Sequence, residues 1–292
     1  MRILVVAKAT NLELYGELIS KRIASGSLPL EYMETLKKAH KEHYQTLDRL
    51  TLKLKQKKIE FVSVSRGLYW PDLNKITHVI TVGGDGTVLA TSQKIKSPDL
   101  PLIGLRSSRL SVGHLCAGGL ESLDEIIHKL SENKLFSKKI QRHSAHVHVI
   151  QSGKILKSDP VVNDFLFANK HPAATSRYAI HFNDKKEEHK SSGIWVCCAA
   201  GSSAAISAAG GSAMPLEGTG LQFLVRELFQ GKKDTTNQLS NEIFDPDLDS
   251  FKIINHCDEA ILATDGQHGT ISLQYGDTIS FKKEKSLSLV KI

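Results

Sequence analysis

The apolar run Val79 to Val82 leads directly into Gly83, Gly84, Asp85, Gly86 and Thr87, and a helix-compatible segment, Val88 to Lys94, follows. A buried strand, a glycine turn and a helix in that order form the repeating unit of an open parallel sheet, where ligands bind beyond the carboxyl ends of the strands. Glycines at such a turn let backbone N–H groups approach phosphate oxygens at a helix start. The turn is therefore read as a phosphate cradle. A cradle of this kind normally avoids a negative charge, so Asp85 requires a job of its own. Three are open to it. It accepts the proton of an attacking hydroxyl, helps hold Mg2+ bridging donor phosphates, or caps the following helix.

The surrounding pattern agrees with a parallel sheet. Ile3 to Val6, Phe61 to Val64 and Leu102 to Leu105 are further short apolar runs, as expected of strands buried on both faces. Between Leu30 and Lys58 the apolar positions Leu36, Ala39, Tyr44, Leu47, Leu50 and Leu54 recur at helical intervals, which predicts one long amphipathic helix. Leu123, Ile126, Ile127 and Leu130 mark another between Leu120 and Leu130. After about residue 136 the texture changes to short segments: His146 to Ile150, Val161 to Phe167, Tyr178 to Phe182, Ile194 to Cys198, Ile261 to Ala263, Ile271 to Gln274 and Thr278 to Phe281. This predicts an α/β Rossmann-like N-terminal domain, residues 1–135, followed by a β-rich, sandwich-like C-terminal domain, residues 136–292.

A net charge of +7 admits nucleic acid, anionic lipid or a polyanionic small substrate. The lysine runs Lys53, Lys55, Lys57, Lys58 and Lys282, Lys283, Lys285 lack interleaved aromatics, so they read as solvated faces and no nucleic-acid partner is expected. The opening segment reads as a first strand rather than a signal, and no stretch approaches the length of a spanning helix, so no membrane association is expected. Cys116, Cys197, Cys198 and Cys257 contain no CxxC pair, which fits a reducing, cytoplasmic setting. His143, His146 and His148 raise a metal site, but His146 and His148 alternate with Val147 and Val149 as on a half-exposed strand. No structural metal is expected.

Downstream, Asn163 and Asp164 lie in VVNDFLF, an amide beside a carboxylate within a strand-like run. An amide can read an adenine edge and a carboxylate can accept from ribose hydroxyls. Ser191 to Gly211 is rich in small residues, and Gly201, Ser202, Ser203, Ala204 and Ala205 leave room for a flat ligand or for tight helix packing. Asp265, Gly266 and Gln267 precede a strand-like segment, and a plain β-turn is the competing reading there.

Together these motifs carry a resemblance. Gly83 to Thr87 resembles the GGDGT signature shared by NAD kinases, diacylglycerol and sphingosine kinases and, more distantly, phosphofructokinases. The Asn163–Asp164 pair, the Ser191 to Gly211 block and the Asp265 turn make the chain similar to the NAD kinase family over nearly its whole length. AAGSSAA, GHLCAG from Gly113 to Gly118, and MPLEGTGLQFLVRE from Met214 to Glu227 look like the plant NADH kinase and mitochondrial NAD kinase branch. Ser192 and Ala205 stand where the common bacterial pattern has Asp and Tyr, so those two contacts are not carried over. The resemblance implies phosphorylation of the 2′-hydroxyl of the adenosine ribose of NAD or NADH by ATP with Mg2+, in a cleft between the domains. Asp85 is then the catalytic residue and Gly83, Gly84, Gly86 and Thr87 hold the donor phosphates. Asn163, Asp164, Gly201, Ser202, Ser203 and Ala204 hold the dinucleotide, Asp265 is a further site residue, and the protein is a homodimer. A lipid kinase sharing only the first loop, and a non-catalytic dinucleotide sensor, are the rival readings.

Overall fold

The computed structural model describes residues 1–65, 67, 70–229 and 239–292. The chain divides into two compact units, Met1–Lys139 with Leu287–Ile292, and Ile140–Ser286.

In the first unit, β1 (Arg2–Ala7), α1 (Asn11–Ala24), α2 (Leu30–Gln56), β2 (Glu60–Ser65), β3 (His78–Gly83), α3 (Asp85–Ser92), β4 (Leu102–Arg106), β5 (Gly118–Gly119) and α4 (Leu123–Ser131) follow one another. The strands pair in parallel in the order β2, β1, β3, β4, with β5 beside the carboxyl end of β4. Ile3, Val5, Ile80, Val82, Ile103 and Leu105 are completely buried against Leu50 and Leu54 of α2 and Leu123, Ile126, Ile127 and Leu130 of α4. Continuous apolar runs are what a sheet covered by helices requires.

The long helix matches its expected span, but its buried stripe is shifted. Leu36, Leu50 and Leu54 face inward together with His43 and Thr46, while Tyr44 is exposed. The 3.6-residue period places position 43 seven residues, two turns, before Leu50, and position 44 falls off that stripe. Helix α1 carries no apolar stripe strong enough to be read from periodicity, yet its start is written in the sequence. Thr10 accepts a hydrogen bond from the Glu13 amide, and Glu13 accepts one from the Thr10 amide at 2.7 Å, a reciprocal capping box.

The second unit contains β6 (Ser137–His148), which enters it from the first, then β7 (Ile155–Lys157), β8 (Asp164–Asn169), β9 (Ser176–Phe182), β10 (Lys185–Ser191), β11 (Ile194–Cys198), the short helix α5 (Ala205–Ala208), β12 (Leu221–Val225), β13 (Asn241–Phe244), β14 (Phe251–Asn255), β15 (Glu259–Thr264), β16 (Gly269–Gln274) and β17 (Thr278–Val290). One antiparallel sheet runs β13, β12, β11, β8, β15, β16. The other joins β10, β9, β14 and the start of β17, with β6 and β7 alongside. Phe165, Phe167, Val196 and Phe223 from the first sheet share one core with Tyr178, Ile180, Phe251, Ile253 and Phe281 from the second. Two sheets closing on one apolar layer are a β-sandwich.

The expected division at 135/136 left the last six residues with the β-rich part. In the structure Leu287–Ile292 run with the first unit instead. Leu287, Leu289 and Val290 are fully buried, and Leu289 pairs in parallel with Leu102 of β4. Burying that apolar tail is the physical reason for the return.

Candidate functional site

Each unit contributes one group of residues. In the first, β3 ends at Gly83 and α3 begins immediately, with Gly84 as its N-cap and no side-chain cap. Asp85 is the first helical residue, so the capping reading does not hold. A side chain at Gly83 or Gly84 would meet its neighbours. A Cβ on Gly83 would stand 2.2 Å from Thr87 Oγ1, and one on Gly84 would stand 2.2 Å from Ser111 Oγ. Thr87 is buried beneath the turn and donates its amide to the Gly84 carbonyl at 2.9 Å.

The Asp85 carboxylate crosses to the loop after β4. Its Oδ2 accepts from the amides of Gly113 at 3.1 Å and His114 at 3.0 Å, and its Oδ1 accepts from Leu115 at 2.7 Å. An ionised carboxylate has about four acceptor positions, so one, on Oδ1, is left. From the other side of that loop Lys291 donates to the carbonyl oxygens of His114 and Cys116. Beside the turn, Lys8, Asn11, His40, Ser107 and Ser111 line a cavity of about 290 Å³. Lys8 follows β1 and Ser107 follows β4, so the cavity opens at the carboxyl ends of the parallel strands, where an α/β sheet places its ligand. Neither Lys8 nor Lys291 stands out in the sequence, because each acquires its neighbours only through strand order.

In the second unit, Asn163 and Asp164 are held by the Asp265 turn. Asp265 Oδ1 accepts from the Asn163 amide at 2.7 Å, and both of its oxygens face the Val162 amide at 3.2 and 3.3 Å. The Asp265 amide in turn donates to the Asp164 carbonyl at 2.9 Å. Asp265 adopts φ 47°, a left-handed conformation that Asp tolerates better than most residues. Burial pushes the Asp265 carboxyl up to about 7, against the pull of the Asn163 and Val162 amides, with Asp164 nearby adding to the rise. Burial likewise raises Asp164 to about 6, opposed by the Gly266 amide. Arg142, fully buried, lies in the negative field of Glu284 and Asp265 and donates Nε to the Lys285 carbonyl at 2.8 Å. The plain β-turn reading of Asp265 therefore gives way to a buried lock on the Asn163–Asp164 pair.

The small-residue block abuts the same pair. Gly201 lies so close that a Cβ there would stand 2.1 Å from the Asn163 carbonyl oxygen. Ser202 is buried, donates to the Ala199 carbonyl at 2.7 Å and accepts from the Met214 amide at 2.8 Å, so its hydroxyl holds the turn together. Ser203 is exposed and Ala204 half-buried. Among the described residues no group of three or more His, Cys, Asp or Glu side chains is placed to hold a metal ion, and no helix is long and apolar enough to cross a membrane. His143 sits inside the second unit against the Thr219 carbonyl at 3.1 Å, and burial pulls its imidazole down to about 4.

The sequence aligns over 281 residues with the NADH kinase of Arabidopsis thaliana at 30% identity, covering 87% of this chain and 84% of that protein. The chain belongs to the NAD kinase family. A probable NADH kinase of Oryza sativa subsp. japonica is 27% identical over 277 residues, 87% of this chain and 82% of the relative. The fold agrees: a crystal structure of an NAD kinase from Archaeoglobus fulgidus in complex with ATP superposes with a TM-score of 0.68 at 17% identity, covering 100% of this chain and 93% of that one. No family model matches the chain. A match of this breadth takes in the later motifs as well as the first loop, which a lipid kinase sharing the loop alone would not produce. The resemblance to plant NADH kinases read from GHLCAG and AAGSSAA is met by two such relatives of this NAD kinase family member.

Proposed function

We propose that this NAD kinase family member transfers the terminal phosphoryl group of ATP to the 2′-hydroxyl of the adenosine ribose of NAD or NADH, with Asp85 as the base. The observation that carries the reading is the one acceptor position left on Asp85 Oδ1 after three amides have fixed the carboxylate. The hydroxyl proton passes to that oxygen as the new P–O bond forms, and the bond from the terminal phosphorus to ADP breaks. The glycine turn from Gly83 to Gly86, with buried Thr87 supporting it from beneath, and the Lys8 side chain beside the neighbouring cavity offset charge on the donor phosphates. Mg2+ accompanying the triphosphate would neutralise part of its charge. It would be held chiefly by phosphate oxygens and water.

In the second unit Asn163 reads the adenine edge and Asp164 accepts from a ribose hydroxyl. Gly201, Ser203 and Ala204 line the dinucleotide pocket, while Ser202 and Asp265 act from behind it. The reading keeps the expected homodimer and cytoplasmic setting. Four buried thiols, all free of disulfides, suit a reducing compartment. Incubating the full chain with ATP, Mg2+ and either NAD or NADH, and identifying the product by mass, tests the proposal. A phosphorylated dinucleotide is expected. Tight dinucleotide binding with no product in either reaction would turn the assignment to a sensor, and sedimentation of the intact protein tests the dimer.

A further inference from the structure

Lys291 donates to the carbonyl of His114, and the N–H on the opposite edge of that same peptide plane belongs to Leu115, which donates to Asp85 Oδ1 at 2.7 Å. In a trans peptide the carbonyl and the following N–H point in opposite directions and turn as one rigid unit. Holding the oxygen on one side therefore aims the amide on the other, and a cation on the oxygen polarises the peptide so that its N–H donates more strongly. A second bond, to the Cys116 carbonyl at 3.0 Å, ties the same ammonium to the loop two residues further on. Within the loop the Cys116 amide donates to the Gly113 carbonyl at 3.1 Å, and Gly113 adopts φ 74°, but the His114 carbonyl is held by Lys291.

We infer that Lys291 is a positioning residue for Asp85, acting through the peptide plane between His114 and Leu115. The inference rests on the reading of Asp85 as the base. Three of the acceptor positions of that carboxylate are set by loop amides, so the direction of the fourth follows the loop, and the loop follows Lys291. Lys291 reaches this place because the tail of β17 returns to lie beside β4. Its role is geometric, and it has no part in binding the dinucleotide.

Steady-state kinetics of the full-length Lys291→Met and Lys291→Arg variants, each also made with Asp85→Asn, test the inference. Lys291→Met is expected to lower kcat about 10- to 100-fold, the scale of a misplaced catalytic group, with KM for NADH within about twofold. Lys291→Arg, which keeps a cation able to reach both carbonyls, should recover most of the loss. With Asp85 already Asn, adding Lys291→Met should cost less than about twofold, because residues acting as one unit are not additive. Wild-type kcat in Lys291→Met, or a full-sized second loss with Asp85→Asn, overturns the inference. If Asp85→Asn itself turns over normally, the base reading falls and the inference with it. If Asp85→Asn is impaired and Lys291→Met is not, the inference alone falls. Should Lys291→Met not fold, Lys291→Ala, which also removes the donor, takes its place under the same criteria.

Discussion

The Asp85 turn of the first unit and the Asp265 turn of the second use the same bond to opposite ends. In both, a carboxylate accepts backbone amides from a distant segment: Gly113, His114 and Leu115 for Asp85, Val162 and Asn163 for Asp265. Asp85 is only half-buried and keeps one acceptor position, whereas Asp265 is 3% exposed and sits beside a second carboxyl, that of Asp164. An acid left partly in water remains available for proton transfer. One sealed beneath a strand serves as a brace, at an electrostatic cost that appears as its raised pKa. Under the proposed function the shared geometry separates into a chemical role and a supporting role, with burial the main difference between them.

The sharpest way to break that contrast is Asp85→Asn. Its kcat should fall at least about 100-fold, the lower end of what removing a general base costs, while calorimetric affinity for NADH is preserved. A mutant with normal turnover would place Asp85 among the braces. A smaller effect is expected on the other side from Gly201→Ala, whose Cβ would press on the Asn163 carbonyl. Overpacking of this kind destabilises by about 1–3 kcal/mol, read as a lower denaturant midpoint, and KM for NADH should rise while kcat holds. In the first unit, Lys8→Ala should raise KM for ATP about 10-fold, within the range for a hydrogen bond to a charged group, and leave KM for NADH alone. An equal rise in both would mean that the cavity beside the glycine turn does not serve the donor.

The smallest effect concerns pH. Because the folded pKa of Asp265 is raised to about 7, the folded protein holds a proton that the unfolded chain releases near 4. That contribution to stability is complete below about pH 4 and is lost as pH rises through about 7. Asp164, raised to about 6, acts in the same direction. His143, lowered to about 4, acts in the opposite one, its contribution being lost as pH falls. The difference between Asp265→Asn and wild type isolates the carboxyl. The variant should gain in melting temperature relative to wild type between pH 5 and 8, by the sign just given. A difference that does not change with pH would mean Asp265 stays ionised, and the contrast with Asp85 would lose its electrostatic basis.

Local order along the chain decided much of this protein. The run Val79 to Val82 followed by two glycines points to strand, turn and helix, since a short apolar run bounded by a glycine turn suits a buried strand and a Cβ at either glycine would meet Thr87 or Ser111. The switch from helical spacing to short alternating segments likewise reveals a sheet covered by helices and a sandwich, because period and burial are both local properties. The α1 capping box is equally local, since Thr10 and Glu13 are three residues apart. Tertiary structure alone decided which distant groups meet. Val162 and Asn163 lie about a hundred residues before Asp265, and His114 lies 177 before Lys291. Such contacts leave no period in the sequence. They arise because strand order sets β15 beside β8 and the tail of β17 beside β4, and no pattern of neighbouring residues encodes which strands will pair across that distance.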